Sequence, residues 1–186
     1  MHETLQLNFY KGINSKHGAV QFRFQKPHYF VKSNPKLKNY DGKFIYDSWL
    51  NDNQSLTSSD LASREGALFL EITSATGKNV YDWDNKIFMA LSITDIGKLL
   101  MVLDGEQDAV NIMHDPGAKS ETAGQVKKYL SVSSPQGIQT GVMVTVALSD
   151  STTDKKVKHT VPLSGDEAKV LNVCLKAILP KCLAWV

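Results

Sequence analysis

The chain has 186 residues, of which 42% are hydrophobic and 9% aromatic, which is the composition of a globular protein long enough to bury one domain core. The formal net charge is only +2, but residues 1–50 hold eight Lys and Arg against three acids, so the basic character is N-terminal. This asymmetry suits a polyanionic partner, although a solvated basic loop is the simpler explanation.

The two cysteines, Cys174 and Cys182, lie in the apolar C-terminal stretch. Their spacing is typical of small core residues rather than of a disulfide or metal pair, which predicts a reducing, intracellular compartment. We expect neither a signal peptide nor a membrane span, because polar residues and Pro180 interrupt the longest apolar stretch. The expected location is the cytoplasm or nucleoid if the source is bacterial, archaeal or viral, or an organelle matrix if a transit peptide was removed.

Alternation of apolar and polar residues predicts strands in the first half of the chain. Val20–Phe24 and Leu68–Ile72 have the period-two pattern of strands with one buried face, and Ile87–Leu91 follows as a third strand. Between the first two of these strands, residues 27–65 are rich in Lys, Asn, Asp and Ser. This segment predicts a long loop or insertion, with a short strand or turn around Phe44.

A helix is predicted directly after the third strand. Ser92 is followed three residues later by Asp95, which is the signature of a capping box. The residues that share one face at helical spacing are Ile96, Leu99, Leu100 and Leu103. Gly97 lies inside this helix at a cost of about 1 kcal/mol relative to Ala, and we interpret it as a site of close packing against a sheet. Asp104-Gly105 is predicted to end the helix.

The second half repeats this order of several strands and a helix. Ser164 and Glu167 have the same spacing as Ser92 and Asp95, so a second helix begins there. Short turns between the strands indicate an antiparallel meander. A duplicated sheet-plus-helix unit favours binding over chemistry. The predicted strands lie near Val110–His114, Gln125–Ser133, Thr140–Leu148 and Lys156–Pro162.

The second helix is apolar over most of its circumference. Its polar residues Lys169, Asn172 and Lys176 make only a narrow stripe. Such a helix is buried on more than one side, and in a chain of this size we expect a second copy of the protein to cover it. The predicted interface residues are Leu171, Cys174, Leu175 and Ile178.

No pattern in the sequence predicts catalysis. His114 precedes Asp115, but adjacent strand residues point to opposite faces, so Asp115 cannot readily orient the ring, and no Ser or Cys nucleophile is marked by its context. The remaining histidines lack metal-ligand spacing, and no glycine-rich phosphate-binding motif follows a strand. We therefore expect no catalytic residue, no metal and no cofactor.

What remains is a set of basic and aromatic residues on strands and their connections. Proteins that bind single-stranded nucleic acid need this combination, because cations follow the phosphates while aromatic faces stack on bases. Tyr81 and Trp83 alternate and could equally form the rim of the core. The candidate binding residues are Tyr10, Lys11, Arg23, Lys26, Tyr81, Trp83, Lys86, Lys127, Lys128 and Tyr129.

Several short motifs, taken in order, resemble the Whirly family of single-stranded DNA-binding proteins over roughly residues 66–186. The ordered set is specific, although no single motif is, and it adds Lys119 to the candidate binding residues. The motifs are Tyr81-Asp82-Trp83, Leu91 to Gly97, His114 to Gly117 with Lys119-Ser120, Ala123 to Lys128, and Leu179-Pro180 to Trp185.

The resemblance implies one Whirly-like domain over residues 1–186, an α+β fold of two antiparallel four-stranded sheets, each followed by a helix. It implies a homotetramer assembled through the helices, with no membrane association. Single-stranded DNA would bind along sheet edges between protomers with little sequence preference, in genome stability, repair and transcription. The fold is shared with kinetoplastid mitochondrial guide-RNA-binding proteins, so RNA stays open as a ligand.

The N-terminus departs from the family pattern. Tyr10-Lys11-Gly12 resembles the start of a family strand, but Ile13 to His17 interrupts it before Gly18. The higher-order assembly of the family depends on that strand. Besides a single-stranded DNA-binding protein, two alternatives remain, namely an RNA chaperone and an oligomeric interaction scaffold without nucleic-acid binding.

Overall fold

The computed structural model describes residues 9–13, 18–31, 34–39, 61–118, 120–134 and 140–183. Within these ranges the chain forms antiparallel strands, two helices and a 3-10 turn at Trp83–Asn85. The helices are α1 (Ile93–Leu103) and α2 (Gly165–Cys182). The strands are β1 (Phe9–Ile13), β2 (Gly18–Gln25), β3 (His28–Val31), β4 (Asn34–Asn39), β5 (Leu61–Arg64), β6 (Ala67–Thr73), β7 (Ala75–Gly77), β8 (Val80–Tyr81), β9 (Ile87–Leu91), β10 (Ala109–His114), β11 (Val126–Ser133), β12 (Val142–Asp150) and β13 (Lys155–Leu163).

Sheet I is antiparallel and has the strand order β1-β2-β6-β9. The three strands predicted in the first half of the chain are confirmed as β2, β6 and β9, and their alternate apolar residues are buried. β2 begins at Gly18, where φ is +114° and a Cβ atom would lie 2.1 Å from the carbonyl oxygen of Thr73. Only glycine allows this close approach of β2 to β6.

Sheet II has the order β10-β11-β12-β13, so consecutive strands are hydrogen-bonded neighbours. This confirms the predicted antiparallel meander. Val144, Val146 and Val161 are fully buried on the inner face of the sheet. The residues that alternate with these buried positions along each strand therefore form the outer face.

Both helices begin with the predicted capping boxes. The Ser92 hydroxyl accepts a hydrogen bond from the Asp95 amide, and the Asp95 carboxylate accepts one from the Ser92 amide. At α2 the Glu167 carboxylate likewise accepts hydrogen bonds from the Ser164 amide at 2.8 Å and from the Ser164 hydroxyl at 2.6 Å. The interpretation of Gly97 is wrong, because a Cβ atom there would have no neighbour within 4 Å. Neither described helix has the length and apolar character needed to span a membrane.

One hydrophobic cluster joins the inner faces of both sheets to α1 and α2. The cysteines are free thiols, and Cys182 belongs to this cluster, where burial raises the pKa of its thiol to about 11. The prediction of a core cysteine is confirmed for Cys182, whereas Cys174 is only half-buried.

Asn172 is not part of an exposed polar stripe but a buried connection between the helices. It is 3% exposed, and its side-chain amide donates to the Leu103 carbonyl oxygen at 2.7 Å and to the Asp104 carboxylate at 2.8 Å. Lys176 contacts the same carboxylate at 2.5 Å. The hydrogen bonds from Asn172 and Lys176 lower the pKa of Asp104.

The first sheet-plus-helix unit is more elaborate than predicted. The described ends of the 27–65 segment form a small sheet with the order β4-β3-β5, rather than a loop. The aromatic and β-branched residues of His28–Val31 favour a strand and outweigh the polar composition around them. A β7-β8 hairpin also precedes β9. The predicted antiparallel sheets and two helices are confirmed, but extra strands interrupt the first unit. The short strand or turn predicted around Phe44 lies outside the described residues.

We expect Asn172→Ala to lower the free energy of unfolding by about 1–3 kcal/mol, because the Leu103 carbonyl and the Asp104 carboxylate each lose a donor. Chemical denaturation measures the loss. The control is Lys169→Ala on the exposed side of the same helix, which should change stability by less than about 0.5 kcal/mol. Equal losses in the two variants would contradict the role assigned to Asn172.

Candidate nucleic-acid interface

Among the described residues, the outer face of sheet II carries lysines and large side chains but no acidic residue. We call this face the sheet II surface. Met113 is 56% exposed and Tyr129 is 43% exposed. The residues of this surface are Ala109, Asn111, Met113, Lys127, Tyr129, Ser131, Ser133, Met143, Thr145, Ala147, Ser149, Lys156, Lys158, Thr160 and Pro162.

Tyr129 lies among cations on this surface. It is paired with Met113 on one side and Ala147 on the other, and Ala147 is in turn paired with Lys158. Since neighbouring strands are about 4.8 Å apart, the backbones of Tyr129 and Lys158 lie about 10 Å apart. Lys127 is two residues from Tyr129 on β11 and so shares its face. An exposed ring with a lysine on either side can meet a base and its flanking phosphates.

A second cluster lies on the outer face of sheet I. We call Arg23, Phe69, Glu71, Lys86 and Phe88 the sheet I surface. Arg23 and Lys86 both contact Glu71, at 2.8 and 2.9 Å. The guanidinium carbon of Arg23 lies 6.0 Å from the centre of the Phe69 ring, and the Phe69 and Phe88 rings meet edge to face at 5.2 Å. Cations and aromatic rings therefore lie next to one another on β2, β6 and β9 and at Lys86, just before β9.

Lys128 points away from the sheet II surface and bridges the two sheets. Its amine donates to the backbone carbonyl oxygen of Phe88 at 2.7 Å and lies 5.8 Å from the centre of that ring. Burial lowers the pKa of Lys128. A groove of about 150 Å³ opens beside this contact. It is lined by Asn85, Lys86, Ile87, Phe88, Lys128, Leu148, Lys155 and Val157.

The remaining candidates from the N-terminal half and the β10–β11 loop are only partly described. In β1, Tyr10 is paired with Gln21 and Lys11 with Val20 through the backbone. Lys26 is exposed just after β2. Lys119 and the side chains of Tyr10 and Lys11 lie outside what the structure describes, as does Trp185 at the C-terminus.

Tyr81 and Trp83 lie on the connection between β8 and β9. Their rings meet edge to face with centres 6.5 Å apart, and both side chains are half-buried. The segment is fixed by a hydrogen bond from the Thr73 hydroxyl to the Asp82 carbonyl oxygen and by one from the Asn85 amide to the Asp82 carboxylate at 2.9 Å. This segment is not part of either surface defined above.

The residues predicted for an interface between copies fall mostly inside the protomer. Leu171, Leu175 and Ile178 are buried against the protomer's own core, and Cys174 is half-buried. The opposite side of α2 carries an exposed apolar stripe at helical spacing. We call it the α2 stripe, and it consists of Val170, Val173, Cys174 and Ala177.

His114 has a structural partner. Its Nε2 atom lies 3.1 Å from the Asp95 carboxylate, while Asp115 instead accepts hydrogen bonds from the amides of Gly117 and Gly124. Burial alone would raise the pKa of Asp95, but hydrogen bonds from Ser92 and His114 outweigh it and lower that pKa. Across the described ranges no three His, Cys, Asp or Glu side chains converge as metal ligands.

The partners that complete the two surfaces are not among the residues predicted from the sequence. Phe69 and Phe88 lie at alternate positions of strands that were predicted, and the same alternation around Val157 and Val161 places Lys156 and Lys158 on the outer face. Tracing the period-two pattern across paired strands would have found them. The pairing of Arg23 and Lys86 with Glu71 had no signal in the sequence, since it depends on which strands are neighbours.

Comparison of the sequence with known proteins points to a single family. A family model described as Whirly transcription factor matches residues 49–174. The chain is 33% identical over 122 residues to the single-stranded DNA-binding protein WHY2, mitochondrial, of Arabidopsis thaliana, covering 66% of this chain and 50% of the relative. It is 29% identical over 124 residues to WHY1, chloroplastic, of Solanum tuberosum, covering 66% and 44%.

The fold is also shared with solved structures. The crystal structure of WHY3 from Arabidopsis thaliana superposes with a TM-score of 0.70 at 22% identity, covering 97% of this chain and 89% of that one. The chain spans about half the length of the curated relatives that it matches.

We expect Lys128→Met to lower the free energy of unfolding by about 1–2 kcal/mol, because it removes a charged hydrogen bond between the sheets while keeping the apolar stem. Thermal and chemical denaturation measure the effect. Lys127→Met, one residue away on the opposite face, should change stability by less than about 0.5 kcal/mol. If both variants were as stable as the parent, Lys128 would not bridge the sheets.

Proposed function

This chain belongs to the Whirly family, and we propose that it binds single-stranded DNA with little sequence preference and without enzymatic activity. The observation that carries the proposal is the sheet II surface, where lysines flank an exposed tyrosine and no acid interrupts them. The bound strand would be protected or organised during replication, repair, recombination or transcription.

The chemistry of the sheet II surface fits a flexible polyanion with exposed bases. Lys127, Lys156 and Lys158 can each neutralise a phosphate and release its counterions. Tyr129 offers a ring face on which any base can stack, which explains why little sequence preference is expected. Duplex DNA has its bases already stacked, so it would gain only the phosphate contacts.

The sheet I surface extends the proposed binding region. Arg23 and Lys86 keep 34% and 38% of their side chains exposed, so both can reach a phosphate. Lys128 is engaged by Phe88 and contributes mainly by joining the two sheets. The further proposed contacts are Tyr10, Lys11, Lys26, Tyr81, Trp83 and Lys119.

We propose a homotetramer assembled through α2. The α2 stripe supports it, because Val170 and Val173 are 52% and 57% exposed on the side of the helix that faces away from the described core. Burying such a stripe between copies removes apolar surface from water. Closed symmetry would then repeat the sheet II surface four times.

The names of the matched relatives assign them to mitochondria or chloroplasts. We extend an organellar location to this chain as part of the proposal. That agrees with one of the compartments expected from its sequence.

The function is tested by titrating labelled single-stranded DNA, single-stranded RNA and duplex DNA of equal length across a range of salt concentrations. We expect single-stranded DNA to bind more tightly than duplex. Tyr129→Ala should cost about 1–3 kcal/mol of binding with an unchanged salt slope. Lys158→Gln should reduce the slope by about 0.7.

The control for these variants is Lys98→Gln, which removes an exposed lysine from α1 and should leave the salt slope unchanged. Equal affinity for duplex and single strands would indicate plain electrostatic adhesion. Tighter binding of RNA would favour the RNA chaperone, and no binding would favour the interaction scaffold.

The assembly is tested by light scattering at micromolar concentration. The parent protein should have four times the 20.6 kDa chain mass. Val173→Lys should lower that mass, because it introduces a charge into the α2 stripe. Val80→Lys is a matched control, since Val80 is also 57% exposed but lies on the β7-β8 hairpin. A monomeric parent protein would falsify the proposed assembly.

A further inference from the structure

The sheet I surface is organised around one buried carboxylate. Glu71 is 5% exposed in the middle of β6. Its Oε1 atom contacts Arg23 Nη2 at 2.8 Å and Lys86 Nζ at 2.9 Å. Two cations therefore share one acceptor atom, and the three side chains together carry one net positive charge.

The two cations come from opposite sides of β6. Arg23 lies on β2, which pairs with one edge of β6, and Lys86 immediately precedes β9, which pairs with the other edge. Without a carboxylate between them, these like charges would repel each other and take up separate rotamers. Glu71 is thus the group that holds them within one phosphate-sized region.

Aromatic rings lie next to this charged group. The Arg23 guanidinium stacks towards Phe69, and Phe69 meets Phe88, which is 36% exposed. A nucleotide whose phosphate lay between Arg23 and Lys86 would therefore have an aromatic surface within reach of its base. The combination is that of a site for one nucleotide of a polynucleotide chain.

We propose that Glu71 is a positioning residue for nucleic-acid binding, which holds Arg23 and Lys86 so that both contact one phosphodiester of a single strand over Phe69 and Phe88. This inference rests on the proposed binding of single-stranded DNA. Removing the Glu71 charge should therefore weaken nucleic-acid binding, whereas removing the charge of an ordinary surface acid should strengthen it. An acid near a polyanion weakens binding by repulsion, whereas loss of Glu71 releases two prearranged cations.

The first test is Glu71→Gln, which keeps the shape of the side chain and removes its charge. We expect single-stranded DNA to bind about tenfold more weakly, since a charge-assisted network that fixes the two cations is lost. Glu106→Gln is the matched control, because it makes the same charge change at an exposed turn after α1. It should bind as tightly as the parent or slightly more tightly. Binding by Glu71→Gln equal to or tighter than this control overturns the proposal.

The second test is a mutant cycle that separates positioning from a general structural role. In an Arg23→Gln/Lys86→Gln background, Glu71 has no cation to position, so adding Glu71→Gln should change affinity no more than Glu106→Gln does. A further tenfold loss in that background would mean that Glu71 supports the fold rather than the cations. The triple variant contains no unpaired buried charge, whereas the double variant keeps the Glu71 carboxylate without either cation, so the two are compared below the melting temperature of the double variant.

Melting temperatures of all variants are measured beside the titrations. If the parent protein binds no single-stranded DNA, the proposed function fails as a whole. If the parent binds and Glu71→Gln binds as well as Glu106→Gln, only the role of Glu71 fails. The two failures are therefore distinguishable in one set of titrations.

Discussion

The surface of this protein depends on the strict alternation of side chains in two antiparallel sheets. Each sheet buries one face against α1, α2 and the other sheet in a single hydrophobic cluster. Every second residue is therefore committed to the core, and its neighbours along the strand point to the outer face. The adjacent residues Lys127 and Lys128 illustrate the constraint, since one faces solvent and the other joins the sheets.

The two outer faces hold their cations in different ways. On the sheet II surface the lysines extend from β11 and β13 with no acid on the same face, and Lys156 meets only the exposed Asp154 of the preceding turn, at 4.0 Å. They can therefore adapt to a flexible ligand. On the sheet I surface Arg23 and Lys86 are already paired to Glu71, so less side-chain entropy remains to be lost on binding. A single-stranded nucleic acid that crossed both surfaces would meet adaptable lysines on the sheet II surface and prearranged cations on the sheet I surface.

Local patterns were sufficient to predict most elements of the fold. Both capping boxes, the strands with buried alternate residues and the meander of sheet II follow from contacts between residues close in sequence. The small sheet containing His28–Val31 was missed because its short aromatic run lies in a polar segment. The candidate site was predicted as residue types rather than as surfaces, because pairs such as Arg23 with Glu71 are 48 residues apart. The role of Asn172 could not be predicted from its own helix, because its acceptors, the Leu103 carbonyl and the Asp104 carboxylate, lie at the C-terminal end of α1.

The contact between Lys128 and Phe88 also affects how the protein behaves at high concentration. β9 is the last strand in the order of sheet I, and the outermost strand of a sheet offers unpaired backbone groups to any extended chain. Lys128 donates a charged hydrogen bond to the backbone carbonyl oxygen of Phe88 in this outermost strand. An incoming strand would have to displace this amine and leave its charge without a partner. This contact therefore opposes, at one position of β9, the edge-to-edge pairing that leads to aggregation.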